Sequence, residues 1–411
     1  MRVALALALA LVVAAPANAV KRRAFVTSVT GTGNLHSWAD SGGLSGVAAG
    51  DNICRVRAAA GGLPNPTAYR AWLSTAATDA YCHVQGQTGK KDPGCVGTPE
   101  PAGPWYRYDG VGRFTGTLDE LTGPERRIYQ PIRYDELGND ATTLERSYWT
   151  GTDSTGEVAA DICGSWVVAS SGASGKGGAA EESAGGWTSS TIGSCAGTSR
   201  LLCLEAGASE VTPVPWIPAA LVFATSTQGH GDLSAWPGAN GEDGLAAGDA
   251  ICRSRASAAH LPSPASFFAW LSTDSIGAGT RMTLAGTPYR RVDGFRIASS
   301  AADLLANGAD NTLHVDEFGQ YASPYRLAFT GTLPDGTPGL ANCAGWTSVS
   351  AFDEATYGLL YRAYDGTWTD RDEGTCSGTE KRLICFSNRE VLFWDGFDLS
   401  ENTERWSAVV P

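Results

Sequence analysis

Two acidic pairs, Asp135-Glu136 and Asp316-Glu317, recur at matching places inside the segments RYDELGN and HVDEFGQ. Paired carboxylates can divide the work of general acid and base. Neighbours on a strand, however, point to opposite faces, so neither pair is expected to share one site, and a turn ending at Gly138 or Gly319 accounts for them. The five histidines, His36, His83, His230, His260 and His314, form no HExxH or comparable metal-binding spacing and are expected at the surface or in packing. Serine is abundant, but no G-x-S-x-G elbow occurs. The ten cysteines are an even set, which fits pairing in an oxidising compartment, and a bridged cysteine is no nucleophile. No catalytic constellation emerges, so an enzyme is not expected. Trp149, Trp166, Trp187, Trp346 and Trp368 could stack on sugar rings. Trp166 matches Trp346 and Trp187 matches Trp368 between two parts of the chain, which core packing explains at least as well.

The elements that must position such residues come from 411 residues, a length that at roughly 150–200 residues per domain predicts about two domains. A hydrophobic fraction of 43% with 13 Trp, 13 Tyr and 12 Phe is too apolar for disorder, and 51 glycines predict many tight turns. The net charge of −13 opposes binding to polyanions, so no nucleic-acid partner is expected. Residues 1–19 read as a signal peptide: Arg2, the apolar run Val3 to Ala15, then Pro16 and the small-residue triplet Ala17-Asn18-Ala19. That run is too short to span a bilayer comfortably. No long apolar run follows it, and no cysteine precedes Cys54 to carry a lipid at the cleavage site. The expectation is a protein without a membrane span, secreted, extracellular or at the cell surface, or held in the periplasm.

Self-similarity organises the rest. FVTS at Phe25 and FATS at Phe223 open two segments 198 residues apart. At the same offset GDNICRVRAAAGGL, with Cys54, matches GDAICRSRASAAHL, with Cys252, and AWLST at Ala71 matches AWLST at Ala269. Further on, Asp109-Gly110 matches Asp293-Gly294, Cys163 matches Cys343, Cys195 matches Cys376 and Cys203 matches Cys385. Repeat one carries an insertion holding Cys82 and Cys95, which have no counterparts and are expected to form the bridge Cys82–Cys95. Units of this length are whole domains: residues 20–206 and 219–387, joined by a Pro-rich, semi-rigid linker at 207–218 and followed by a tail at 388–411. In repeat one the pattern predicts an amphipathic helix over Asp51 to Ala60, with Asp51 in its first turn, Ile53, Val56 and Ala60 on its apolar face, and a stop at Gly61-Gly62. It also predicts a second short helix over Thr67 to Leu73, strands at Tyr148 to Thr150, Ser165 to Val168 and Arg200 to Leu204, and a long exposed loop from Ser170 to Gly186. Helices ahead of a broken sheet make an α+β class.

The ordered series GDNIC, AWLST, WTGTD (Trp149 to Asp153), CGSW (Cys163 to Trp166), Cys195 and RLLCLE (Arg200 to Glu205) resembles a bacterial secreted family of unknown function within the C-type lectin-like superfamily. It is also similar to endostatin, which shares that fold. The resemblance implies two tandem C-type lectin-like domains, each with two early helices and a broken mixed β-sheet stapled by disulfides. The superfamily joins its first core cysteine to its fourth and its second to its third, which implies Cys54–Cys203 with Cys163–Cys195, and Cys252–Cys385 with Cys343–Cys376. Calcium-dependent members resemble one another in an acidic-Pro-Asn or Gln-Pro-Asp loop, absent here, and a Trp-Asn-Asp strand. That strand reads Trp187-Thr188-Ser189 and Trp368-Thr369-Asp370, a depleted set for an ion that takes six to eight oxygens. Asp365, Asp370, Asp372 and Glu373 are better read as a solvated acidic loop, so no cofactor is expected and calcium is disfavoured. Trp187, Trp368 and Asp370 are the candidate ligand residues.

The segment FWDGFDLSENTERWSAVVP resembles short tails that close many secreted bacterial proteins, which implies a sorting or display role. Together these features predict a non-enzymatic binding protein that recognises an extracellular protein or glycan through loops such as Ser170 to Gly186 and Ser348 to Thr367. The alternative is a structural or adhesive envelope protein without a discrete ligand pocket.

Overall fold

The computed structural model describes residues 20–143, 145–321 and 327–392; the expected signal peptide and the tail from residue 393 onward lie outside them. The strands fall into two sets with the same connectivity. In the N-terminal half one sheet runs Arg113–Thr115, Trp105–Arg107, Arg22–Val26, Arg200–Glu205, Ser147–Trp149, Ser174–Ala179, Thr191–Ser194, with Tyr69–Ala71 also against Arg200–Glu205. In the C-terminal half Leu383 interrupts the corresponding last strand into Lys381–Arg382 and Ile384–Val391. The pattern therefore splits there into two sheets. In each half the first strand is parallel to a hairpin strand (Arg22 opposite Trp105, Ala220 opposite Tyr289) and antiparallel to the last strand (Ala24 opposite Leu204, Phe223 opposite Cys385).

The long helices Gly46–Ala60 and Gly244–Ala258 start a turn earlier than periodicity predicts. Asp51 is consequently not a first-turn acid: it is buried and accepts from the Ala71 backbone N–H at 2.9 Å, as Asp249 accepts from Ala269 at 3.0 Å. The buried face is Ala49, Gly50, Ile53, Cys54 and Ala58, while Val56 and Ala60 are exposed. Gly50 and Gly248 permit this phase. A methyl group on either would sit 2.8 Å from Leu73 or Leu271, closer than core packing tolerates without a shift.

Two other elements differ from expectation. Residues predicted as a second helix, Thr67 to Leu73, form a turn at Pro66–Ala68 and then the strand Tyr69–Ala71, because pairing with Glu205, Leu204 and Cys203 overrides local propensity. The predicted strand Ser165–Val168 is instead part of a left-handed turn over Cys163–Trp166, repeated at Cys343–Trp346, with φ between 46° and 71° throughout. Such backbone costs roughly 1–2 kcal/mol per non-glycine residue. It is held by buried indoles, whose N–H groups donate to Ser74 and Ser272 carbonyls at 2.8 Å, and by adjoining disulfides.

The ten cysteines are joined as Cys54–Cys203, Cys82–Cys95, Cys163–Cys195, Cys252–Cys385 and Cys343–Cys376. Cys54–Cys203 and Cys252–Cys385 tie each long helix to the last strand of its half. The region assigned to a tail from residue 388 contributes its first four residues to the strand Ile384–Val391, where Val391 pairs with Ala219. Among the described residues no helix is long and apolar enough to cross a membrane.

Candidate ligand cleft between the two halves

The segment predicted as an exposed loop, Ser170 to Gly186, contains the strand Ser174–Ala179 and then turns inward. Its partner region, Ser348 to Thr367, contains the equivalent strand Glu354–Leu359. The residues after these strands meet across the molecule: Ser183 N–H donates to Tyr361 O at 2.9 Å, and Ala363 N–H donates to Glu181 O at 3.2 Å. Glu182 and Arg362 form the central pair of this antiparallel bridge. Because the two donors and the two acceptors occupy equivalent positions of the repeat, the contact has the reciprocity of a two-fold interface inside one chain.

Charge follows the same seam. Arg362 lies 2.7 Å from Glu181 and 2.9 Å from Glu182, and Arg146 lies 3.1 Å from Glu181 and 3.4 Å from Asp365. Tyr129 stacks on Phe295 at 5.1 Å, and its carbonyl accepts from Arg291 and Asn311, each at 2.8 Å. The linker is docked along this seam. Gly207–Ala208 pairs with Ala102–Gly103, Thr212 N–H donates to Tyr106 Oη at 2.9 Å, and Trp216 Nε1 donates to Val391 O at 3.2 Å.

Packing the halves this way leaves a cleft of about 440 Å³, walled by the hairpins around Asp109-Gly110 and Asp293-Gly294 and by the linker. Both turns are built on a glycine with positive φ, 67° at Gly110 and 91° at Gly294. The flanking strands place equivalent arginines on the cleft: Arg113 pairs across its hairpin with Tyr106, and Arg296 with Arg290. Six basic residues, Lys21, Arg107, Arg113, Arg133, Arg290 and Arg296, line it with one acid, Asp310. Pro213, Val214, Pro215 and Ile217 supply an apolar wall. Neutralisation is uneven. Arg133 is 2.9 Å from Asp140 and Arg296 is 2.6 Å from Asp310. Arg107 donates from Nε and Nη2 to the Pro131 carbonyl, and from Nη2 to Tyr364 Oη at 2.7 Å.

The residues singled out from sequence lie elsewhere. Trp187 and Trp368 are fully buried and pack on Trp72 and Trp270 at 5.0 and 5.3 Å, so neither offers a ring face to a ligand. Asp370 is half-buried in the turn after Trp368, and burial raises its carboxyl above the ordinary range. Asp365 accepts from Thr367 and faces Arg146, while Asp372 and Glu373 are exposed on the strand Asp372–Thr375. Among the described residues no group of three or more His, Cys, Asp or Glu is placed to hold a metal ion. The acidic pairs close turns: Asp135 O accepts from Gly138 N–H and Asp316 O from Gly319 N–H. Glu136 accepts from Ser28 N–H at 2.8 Å, and Glu317 from Ser226 N–H at 2.8 Å and Arg255 Nε at 2.6 Å. The cleft arginines escaped notice because a basic residue flanking an Asp-Gly hairpin has no local signature; only the recurrence of Arg107 and Arg291 beside the matched turns marks them.

Ser183 Oγ lies 3.1 Å from His314 Nδ1, a distance suited to a nucleophile and its base. Both are fully buried, Thr312 Oγ1 shares the same nitrogen at 2.8 Å, and His314 Nε2 has no hydrogen-bond partner among the described residues. The pair therefore has no approach for a substrate and no acid to orient it; it joins the halves. Burial, and then Arg291, drive the imidazole well below its ordinary value, so it is neutral.

Glu182 gives the seam a pH dependence. Burial, helped by Glu181 and opposed by Arg362, pushes its carboxyl up from 4.5 to about 7. A carboxyl raised in the fold adds stability that is complete below the unfolded value and disappears as pH rises through the folded one. Urea unfolding of Glu182→Gln and the native chain at pH 5 and pH 8 is therefore expected to differ by up to ~3 kcal/mol more in the variant's favour at the higher pH. His314 acts with the opposite sign, disfavouring folding at low pH, but is common to both chains and cancels. An equal difference at both pH values would refute the assignment.

Comparison with known protein families and with curated proteins found no match.

Proposed function

We propose that the chain is an exported, non-enzymatic binding protein whose two C-type lectin-like domains act as one unit and hold part of an extracellular glycan or protein in the cleft between them. The cleft itself is the observation that carries this reading. Its volume lies within the range of pockets that enclose small ligands or ligand termini, and it combines an apolar wall with a few directed polar groups. It stands where the two halves meet, a common place for ligand sites. Within the loops expected to recognise a ligand, residues 181–183 and 361–363 join the two halves behind the cleft. The disulfides support export to an oxidising compartment. The depleted strands Trp187-Thr188-Ser189 and Trp368-Thr369-Asp370 support a mode of binding that does not use calcium.

Glycan and surface-protein arrays probed with the full chain, with and without a calcium chelator, test the reading. Binding is expected to survive chelation and to fall at least tenfold in the double variant Lys21→Gln, Arg296→Gln. Binding that needs calcium, or that ignores both substitutions, would overturn it.

A further inference from the structure

The two halves treat one pair of equivalent arginines differently. Arg107 stands opposite Ala24 and Arg291 opposite Val222, the same register position in each half. Arg291 is fully buried and carries its own counter-ion, with Asp293 Oδ1 at 3.0 Å from Nε and Oδ2 at 2.8 Å from Nη2. Arg107 is 6% exposed, yet the matching Asp109 turns back to accept from Val111 and Gly112 N–H at 2.8 and 3.3 Å. Its guanidinium is therefore met by a carbonyl, a phenol and, at 5.4 Å, the ring of Tyr134, none of them an anion, and Nη1 donates to no protein acceptor among the described residues. Burying a cation without an anion is unfavourable, and this one lines the cleft. Lys21 lines the same cleft, with its ammonium 4.9 Å over the Tyr106 ring and no ion pair among the described residues. A chain of net charge −13 thus gathers six cations and one acid around a concave space, where low-dielectric walls concentrate the field.

From this broken symmetry, and resting on the cleft reading above, we infer that the cleft takes a compact organic oxyanion, its carboxylate, phosphate or sulfate group at Arg107 and Lys21 and its ring or hydrocarbon body against the linker wall of Pro213, Pro215 and Ile217. With Nε and Nη2 engaged by Pro131 and Tyr364, the two hydrogens of Nη1 are left to make a charge-assisted bond to such a group. The volume of about 440 Å³ admits a small molecule or the end of a larger one. The ligand supplies in the N-terminal half the anion that Asp293 supplies in the C-terminal half.

Calorimetric titration of the full chain with glucuronate, a glucose phosphate, a glucose sulfate and glucose itself varies the anion on one ring body. At least one oxyanion is expected to bind tenfold or more tightly than glucose, to weaken in 0.5 M salt, and to lose at least tenfold in Lys21→Gln; whichever binds identifies the group. Arg107→Lys, which keeps the charge and removes the Nη1 donor, is expected to weaken the same ligand with its melting temperature unchanged by more than a few degrees. Oxyanion binding indifferent to Lys21→Gln places the anion elsewhere and overturns the inference. So does a preference for glucose, or binding confined to acidic peptides; in those cases array binding that still depends on the cleft variants leaves the broader reading standing.

Discussion

At pH 8, where the Glu182 carboxyl is ionised, replacing Arg362 with methionine is expected to destabilise the folded chain by about 3–5 kcal/mol, because it leaves a buried carboxylate without its cation. Arg362 bridges the halves to Glu181 and Glu182, whose side chains are 1% and 6% exposed. Glu181 keeps Arg146 at 3.1 Å; Glu182 keeps no cation among the described residues. Pairing Arg362→Met with Glu182→Gln removes the stranded charge, so the double variant is expected to recover most of the loss, a coupling that a double-mutant cycle in urea measures directly. A single variant within about 1 kcal/mol of the native chain would mean that the bridge is ornamental to stability. The same loss is expected to loosen the seam behind the cleft, so ligand affinity and stability should fall together in the single variant and return together in the double.

Removal of Cys252–Cys385 by paired alanine substitution is expected to cost about 4–5 kcal/mol, against about 3 for Cys82–Cys95, on a chain-entropy account in which closing a longer loop constrains the unfolded chain more. The two bridges close separations of 133 and 13 residues. The longer one also joins the helix Gly244–Ala258 to the strand Ile384–Val391, with both cysteines fully buried, so truncation adds a packing loss. Melting temperatures of the two paired variants compare them within one protein. If Cys82→Ala, Cys95→Ala melted lower than Cys252→Ala, Cys385→Ala, loop length would not govern these bridges.

Recurrence in the chain was informative wherever a residue's role depends on its own neighbourhood. The Asp-Glu pairs close turns at Gly138 and Gly319 because the turn is made by residues adjacent in sequence. Trp149 and Phe329 face one another in the repeat alignment and are both buried, since an aromatic exchanged for an aromatic signals volume to be filled. Helix phase was less legible. Val56 fits an apolar periodicity but is exposed, whereas Gly50, which carries no hydrophobic signal, faces Leu73 and Ala71. Close approach of helix and strand selects for a missing side chain, and a missing side chain leaves no mark in a hydrophobic pattern.

The sequence by itself determined that the chain is duplicated, that its cysteines divide into four, four and an inserted pair, and that each repeat mixes helix with strand, because these are properties of order and spacing along the chain. Only the tertiary structure decided that residues 181–183, within the predicted loop, form a buried seam, that Trp187 and Trp368 are core, and that cations gather in a cleft within an acidic protein. Those outcomes depend on how one half sits on the other. Net charge is a sum over the chain, while the field in a cleft is set by the few side chains that converge there, and Arg107 lacks the counter-ion of Arg291 because the aspartate two residues on turns to the N–H groups of its own loop.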